Sequence, residues 1–211
     1  MEESEPLPDE VVDAVLELGR LALVFGRVER VTLHDDGKTP ESDTDHTVML
    51  GLVAASFAAR FIPQLDLGKI SQFALVHDFV EVYAGDTATV HIQSEDQKKD
   101  KEEREAAALE KLREQFGSIF PWLTETIESY ERLDTPEARY VKFIDKVLPK
   151  ITHGLNKGAA LPTFDMDREA MDKKLTHQYE SIVTTYGADQ PETARLYASL
   201  AAYVKRSVFD D

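Results

Sequence analysis

"LVHDFVEVYAGDTA", residues 75–88, opens as an apolar run and then carries His77, Asp78, Glu81 and Asp86 within ten positions. A helix that buries one face does not place that many acids beside it unless something compensates the charge. Three compensations are available: solvent, a lysine partner, or a metal ion. The flanking sequence bears on the choice. Leu67 to Tyr83 reads as one helix stopping at Ala84-Gly85, so the acids sit at the end of a helix rather than on an open loop.

Outward from this stretch the signals are helical nearly throughout. Residues 9–26 set Val11, Val12, Val15, Leu16, Leu18, Leu21, Leu23 and Val24 on a broad apolar face, with Gly26 as the stop. Residues 27–44 are polar, contain Gly and Pro, and read as a loop with a short strand-like start. A second helix is expected from Asp45 to Phe61, ended by Pro63. A highly charged helix follows over 98–116, its mixed signs at spacings of three and four marking a solvated face. Pro121 opens a short helix to Leu133. Thr135 and Pro136 suit the N-cap and first turn of another, Glu137 to His153, which Pro149 is expected to kink or end early. After a loop marked by Gly154, Gly158 and Pro162, two further helices are expected over 167–185 and 190–208. The reading is an all-α helical bundle in a single domain over residues 1–211, without a convincing β-sheet.

Composition narrows the partners. The chain has 211 residues, no cysteine and a formal net charge of −16. An acidic surface repels nucleic acid polymers and anionic lipid. No apolar run approaches the roughly 18–20 residues of a membrane span. The N-terminus, "MEESEPLPDE", is the opposite of a secretory or transit peptide, and a cytoplasmic location is expected. The absence of cysteine excludes thiolate chemistry and Cys-based zinc sites.

Two residues strengthen the metal reading of His77-Asp78. His46 lies at the start of the preceding helix, where an antiparallel neighbour can present it to the same point. Asp145 sits amid "YVKFIDKVLPKI", whose Tyr140, Val141, Ile144, Val147, Leu148 and Ile151 form an apolar face, and a buried aspartate there needs a partner or an ion. Lys142, Lys146 and Lys150 are the alternative partners if Asp145 is exposed. A set of two imidazoles and two carboxylates suits Mn²⁺, Co²⁺, Fe²⁺ or Zn²⁺, with Mg²⁺ also open.

The order H…HD…D resembles that of the HD-domain phosphohydrolases. "HDFVEVYAGDTA" resembles the H-D-x-x-E-x-x-x-G-D segment of their 5′-deoxynucleotidase (YfbR-like) branch. "PESDTDH" is similar to the branch's P-E-S-x-x-D-H run, and "SYERLDTPEARYVKFIDK" to its segment ending on the last ligand. The likeness spans roughly residues 15–155 and none is seen after about 160. It implies a fold of the HD type, with the metal-site core over about 15–155 and C-terminal helices over about 167–208. It also implies metal-dependent removal of the 5′-phosphate from (deoxy)nucleoside monophosphates. In that reading His46, His77, Asp78 and Asp145 hold the divalent ion, and Glu81 and Asp86 act near the attacking water and the leaving oxygen, with Asp86 favoured as the acid. Branch members carry an Arg-Trp pair before the first histidine. This chain has no tryptophan there and an insertion of several residues, leaving Arg27 and Arg30 as candidates for the phosphate contact, with Lys38 a weaker one. The resemblance also implies a homodimer, whose seam Leu196, Leu200, Tyr203 and Val204 can form unless that face packs back on the bundle.

The other histidines read as structural: His34 in the polar loop, His177 in the C-terminal region, and His153 at the end of the Asp145 helix, favourable to its dipole. His91, five residues after Asp86, can line a pocket. Trp122 in "FPWLT" is expected in the core. Two competing functions stay open: an HD-type hydrolase of nucleoside triphosphates or another phosphoester, and a non-catalytic helical module that binds a nucleotide or a partner.

Overall fold

The fold is arranged around the helix that carries Asp145. In a computed structural model, which describes residues 5–87, 94–164 and 166–210, this helix, α7, spans Pro136–Leu155 in an order that begins α1 (Asp9–Phe25), β1 (Glu29–Leu33), β2 (Pro40–Ser42), α2 (Asp43–Phe61), α3 (Leu67–Val76), α4 (Glu81–Ala84), α5 (Glu95–Phe116) and α6 (Pro121–Glu131). After α7 come a 3-10 turn (Leu161–Phe164), α8 (Arg168–Gln178), a π-turn (Tyr179–Val183), α9 (Thr184–Tyr186) and α10 (Pro191–Phe209). Among the described residues no helix is long and apolar enough to cross a membrane.

The local chemistry starts α7 where the sequence suggests. Thr135 accepts a hydrogen bond from the Ala138 N–H at 3.1 Å, and Pro136 occupies the first turn. Tyr140, Val141, Phe143, Ile144, Val147 and Leu148 are then buried on nearly every side of α7, against α2 and α3 on one flank and α10 on the other. Fully burying each such side chain stabilises the fold by about 1.5–3 kcal/mol. The Tyr140 hydroxyl is satisfied by the carbonyl of Ala54 at 2.9 Å, which ties α7 to α2. A second cluster joins Leu21 and Phe25 of α1 to Val76, Phe79, Leu112, Phe116 and Ile127. A third, under the C-terminal helices, joins Leu161, Met171, Leu175 and Val204.

Several expectations are corrected. The helix from Leu67 does not run to Tyr83: α3 ends at Val76, and the chain turns through residues 77–80 before the single turn of α4. Bonds of i→i+3 type (Phe79 N–H to Val76 O, Glu81 N–H to Asp78 O) replace the α-helical ladder, and the Ala74 carbonyl accepts from His77 Nδ1. Pro149 does not stop α7, which continues to Leu155; having no N–H, it cannot donate to the Asp145 carbonyl one turn back. The loop over 27–44 contains an antiparallel two-stranded hairpin, Glu29 opposite Ser42 and Leu33 opposite Pro40. The Asn156 side chain donates to the Leu33 carbonyl at 2.8 Å and so fastens the hairpin to the end of α7.

Trp122 is 44% exposed rather than in the core. On α1 only Ala14, Leu21 and Phe25 are buried, while Val12, Val15, Leu16 and Leu23 face outward, so its apolar band is wider than the surface it covers. The face of α10 packs inward through Leu196, Leu200 and Val204, leaving Tyr203 half exposed.

Candidate metal centre and its cleft

Three helices bring the four expected ligands together. His46 lies in the first turn of α2, which Ser42 and Asp45 close with a reciprocal capping box. His77 follows the last residue of α3, Asp78 lies in the turn, and Asp145 comes from α7. One ligand atom of each lies within 4.8 Å of all the others. His46 Nε2 is 3.1 Å from Asp145 Oδ1, and His77 Nε2 is 3.0 Å from Asp78 Oδ2.

The state of each imidazole favours a cation. His77 Nδ1 donates to the Ala74 carbonyl at 2.9 Å, since a carbonyl can only accept. Nε2 is buried in the cluster and faces the Asp78 carboxylate across 3.0 Å, a pairing that positive charge between ring and carboxylate stabilises. His46 is held between two carboxylates, Asp145 on Nε2 and Glu41 at 3.4 Å from Nδ1. Burial works against its charge, but the hydrogen bonds to Asp145 and Glu41 win and raise its pKa to about 9. In this state a proton supplies positive charge that a divalent ion could supply instead. Glu41 is in turn held by the Thr32 hydroxyl, giving a carboxylate–histidine arrangement behind the ligand. Two imidazole nitrogens and two carboxylate oxygens therefore fit a divalent ion of the Mn²⁺, Fe²⁺, Co²⁺ or Zn²⁺ kind.

Arg30 enters this acidic cluster from β1. Its Nη1 lies 2.9 Å from Asp43 Oδ1, 3.0 Å from Asp78 Oδ2 and 3.8 Å from Glu81 Oε2. Burial disfavours its charge, but Asp78, Asp86, Glu81 and Asp145 together hold it firmly protonated. Asp43 is completely buried, and desolvation raises its pKa to about 6 despite Arg30. Glu81 is pushed up to about 10 by burial first, then by Asp78, Asp43 and Asp86. Asp86 is raised by the same burial, with Arg30 opposing. Against burial, the adjacent His77 and then Arg30 hold Asp78 well below the usual carboxylate range. Glu81 reaches the cluster through the turn at 77–80, not along one continuous helix face. Gly85 follows α4 with φ of +72°, a left-handed conformation that turns Asp86 back toward the site.

Arg27 and Lys38 are exposed and do not line the cleft, whereas Arg30 does. His34 lies 3.2 Å from Asp45 at the mouth of α2, and His177 is exposed. His91 lies outside the described residues. His153 lines the cleft, where burial and then Lys174 lower its pKa to about 4, so it does not carry the charge expected of a helix-dipole partner.

The cleft has a volume of about 240 Å³ and runs from Arg30, Asp78, Glu81 and Asp145 along α7 to the C-terminal segment. Glu41, Asp43 and the wall beyond residue 160 were not singled out from sequence. Glu41 stands in the "PESDTDH" motif next to the capping serine, which was the available signal. Nothing in the pattern around Asp43 marks it as buried.

A profile of the HD domain matches residues 26–186. The chain is similar to the 5′-deoxynucleotidase HDDC2 of Xenopus laevis, 28% identical over 135 residues, which are 63% of this chain and 64% of that protein. The chain thus matches less than two thirds of that relative's length. Its fold is similar to the crystal structure of a predicted metal-dependent phosphohydrolase from Magnetospirillum magnetotacticum MS-1, with a TM-score of 0.73, 23% identity and 96% of each chain covered. It is also similar to a conserved hypothetical protein from Pyrococcus furiosus, with a TM-score of 0.52, 21% identity, and 87% and 98% of the two chains covered.

Proposed function

The chain belongs to the HD-domain family, and from that premise we propose that it is a metal-dependent phosphomonoesterase that removes the 5′-phosphate from (deoxy)nucleoside monophosphates. The observation that carries the reading is the convergence of His46, His77, Asp78 and Asp145 within 4.8 Å, with Glu81, Asp86 and Arg30 around them. The likeness to HDDC2 supports the nucleotide as substrate. Residues 1–211 act as a single HD-type domain in this reading, the C-terminal helices completing the cleft.

A divalent ion held by the four ligands would polarise a phosphoryl oxygen and acidify a water at neutral pH. The remaining roles fall to the chain. Arg30 makes its ion pairs through Nη1 and adds fixed positive charge where the phosphate oxygens come to rest. Glu81, deep among Asp78 and Asp43, orients the attacking water and takes its proton once added positive charge has brought its pKa down. Asp86, less buried and raised by that burial, is the carboxyl placed to give a proton to the leaving 5′-oxygen. Asp43 sets the direction of the Arg30 guanidinium. Glu41 holds the ring of His46.

The test is release of inorganic phosphate from a panel of deoxynucleoside and nucleoside 5′-monophosphates with Mn²⁺ or Co²⁺. Turnover lost in Asp78→Ala is the expected result. No turnover on any monophosphate overturns the reading, and pyrophosphate or triphosphate release from a triphosphate would assign the site to another phosphohydrolase reaction.

A further inference from the structure

Along α7 the residues Lys142, Lys146, Lys150 and His153 recur at i, i+4, i+8 and i+11, and all four line the cleft. Asp145 lies between Lys142 and Lys146, in the part of this stripe nearest the metal cluster. Lys150 and His153 lie five and eight residues further, about 7.5 and 12 Å along the helix axis. The cleft changes character over that distance. Its acidic residues, Asp78, Glu81, Asp86 and Asp145, all belong to the metal cluster. At the other end, among the described residues, no carboxylate pairs with Lys150 or with Lys174, which faces it from α8.

Lys150 is only 4% exposed. Its ammonium donates to the Gln178 side-chain carbonyl at 3.0 Å and to the Lys146 carbonyl at 3.4 Å, and lies 4.5 Å from the Tyr197 ring centroid. None of these partners carries negative charge, and an ammonium buried without a counter-charge is costly. Burial, then Lys174, lowers its pKa to about 7. His153 adds a buried Nδ1 without a hydrogen-bond partner. Leu161, Met171, Leu175 and Val204 wall this end with apolar surface, which strengthens any charge interaction made there.

We propose that the Lys150–Lys174 end of the cleft binds a second anionic group of the substrate, so that the preferred substrates are nucleotides with a further phosphate on the sugar, nucleoside 3′,5′-bisphosphates being the simplest. The proposal rests on the nucleotidase reading for the metal end. A phosphate contiguous with the scissile one would fall beside Lys142 and Lys146. The charge that Lys150 and Lys174 need lies further on, across the span of a sugar. The apolar wall then faces the flat base. In the reaction water attacks the 5′-phosphorus, the bond to O5′ breaks, the leaving oxygen takes a proton, and the second phosphate stays on the product.

Calorimetry on the chelator-treated full chain reads this end without the metal and without turnover. The probes are 2′-deoxyadenosine 3′-monophosphate and 2′-deoxyadenosine, which differ only in the phosphate offered to Lys150. The nucleotide is expected to bind at least ten-fold tighter, and Lys150→Met or Lys174→Met to reduce that ratio at least five-fold. In steady-state assays with Mn²⁺, 2′-deoxyadenosine 3′,5′-bisphosphate is expected to show at least ten-fold higher kcat/KM than the 5′-monophosphate. A calorimetric ratio near one, or a ratio untouched by both variants, overturns the proposal even if monophosphates are hydrolysed. If no nucleotide is hydrolysed, the nucleotidase reading falls while the calorimetric ratio still decides the anion site. Should Lys150→Met fail to fold, the exposed Lys174 carries the test.

Discussion

Replacing Glu81 by glutamine should stabilise the metal-free protein, and the gain should depend on pH in a defined way. The ordinary glutamate value is 4.5, and burial among Asp78, Asp43 and Asp86 pushes Glu81 up to about 10. Between those two values the unfolded chain has released this proton and the folded chain has kept it. The folded state then binds the extra proton, so each unit of rising pH costs about 1.4 kcal/mol of stability. From 4.5 to pH 7 the cost accumulates to about 3 kcal/mol. Glu81→Gln keeps the shape and removes the titration. Its advantage should be absent near pH 4.5 and grow to about 3 kcal/mol at pH 7, or about 6–12 °C in Tm for a chain of this size.

Denaturant or thermal unfolding of both proteins in chelator at pH 5, 6, 7 and 8 measures the slope. Adding Mn²⁺ should shrink the advantage, because positive charge in the cluster lowers the cost of ionising Glu81. A difference that does not vary with pH, or a metal-free variant less stable than the parent at pH 7, refutes the electrostatic reasoning. Neither result would bear on the fold.

Other outcomes follow from the same geometry. Mn²⁺ or Co²⁺ at about a hundred times its Kd should add about 2.7 kcal/mol and raise Tm by several degrees, and Asp145→Ala should abolish the shift in a calorimetric melt. Glu41→Gln should leave circular dichroism unchanged while weakening metal affinity about 10–100-fold, the usual cost of losing a group that orients a ligand histidine; an unchanged affinity would release Glu41 from that role. Ile144→Ala, in the fully buried face of α7, should cost about 2–5 kcal/mol in urea unfolding. Gly158→Ala should cost more than a kilocalorie or so, since Gly158 has φ of +72° and a Cβ there would stand 2.8 Å from both Leu161 and Val208.

Most of the helices were legible because their signals are local. Pro136 after Thr135, Gly26 after Phe25, and the i, i+4 charge pairs of α5 each act within a turn or two of the residues that carry them. The four candidate ligands were legible through their motifs, and the structure does bring them together. What escaped was set by distant partners. The break after Val76 follows from a histidine that hydrogen-bonds back to Ala74, and no periodicity announces it. The burial of Asp43 depends on Arg30, thirteen residues earlier and on a hairpin that read as loop. That Arg30 and not Arg27 lines the cleft follows from its place on β1, which begins two residues after Arg27. The far wall of the cleft comes from residues beyond 160, where the sequence offered no motif and α8 is placed by distant partners on α7 and α10.

His46 and Asp145 touch across 99 residues of sequence, and His77 and Asp78 reach the same point from a third segment. An ion gripped by all of them would act as a removable cross-link, closing long loops that the unfolded chain cannot close cheaply. Unfolding must then release one ligand before α2 and α7 can part, so the bound ion would lengthen the lifetime of the folded chain as well as shift its equilibrium. The rate at which a chelated sample unfolds, set against that of a loaded one, would thus time the separation of those two helices.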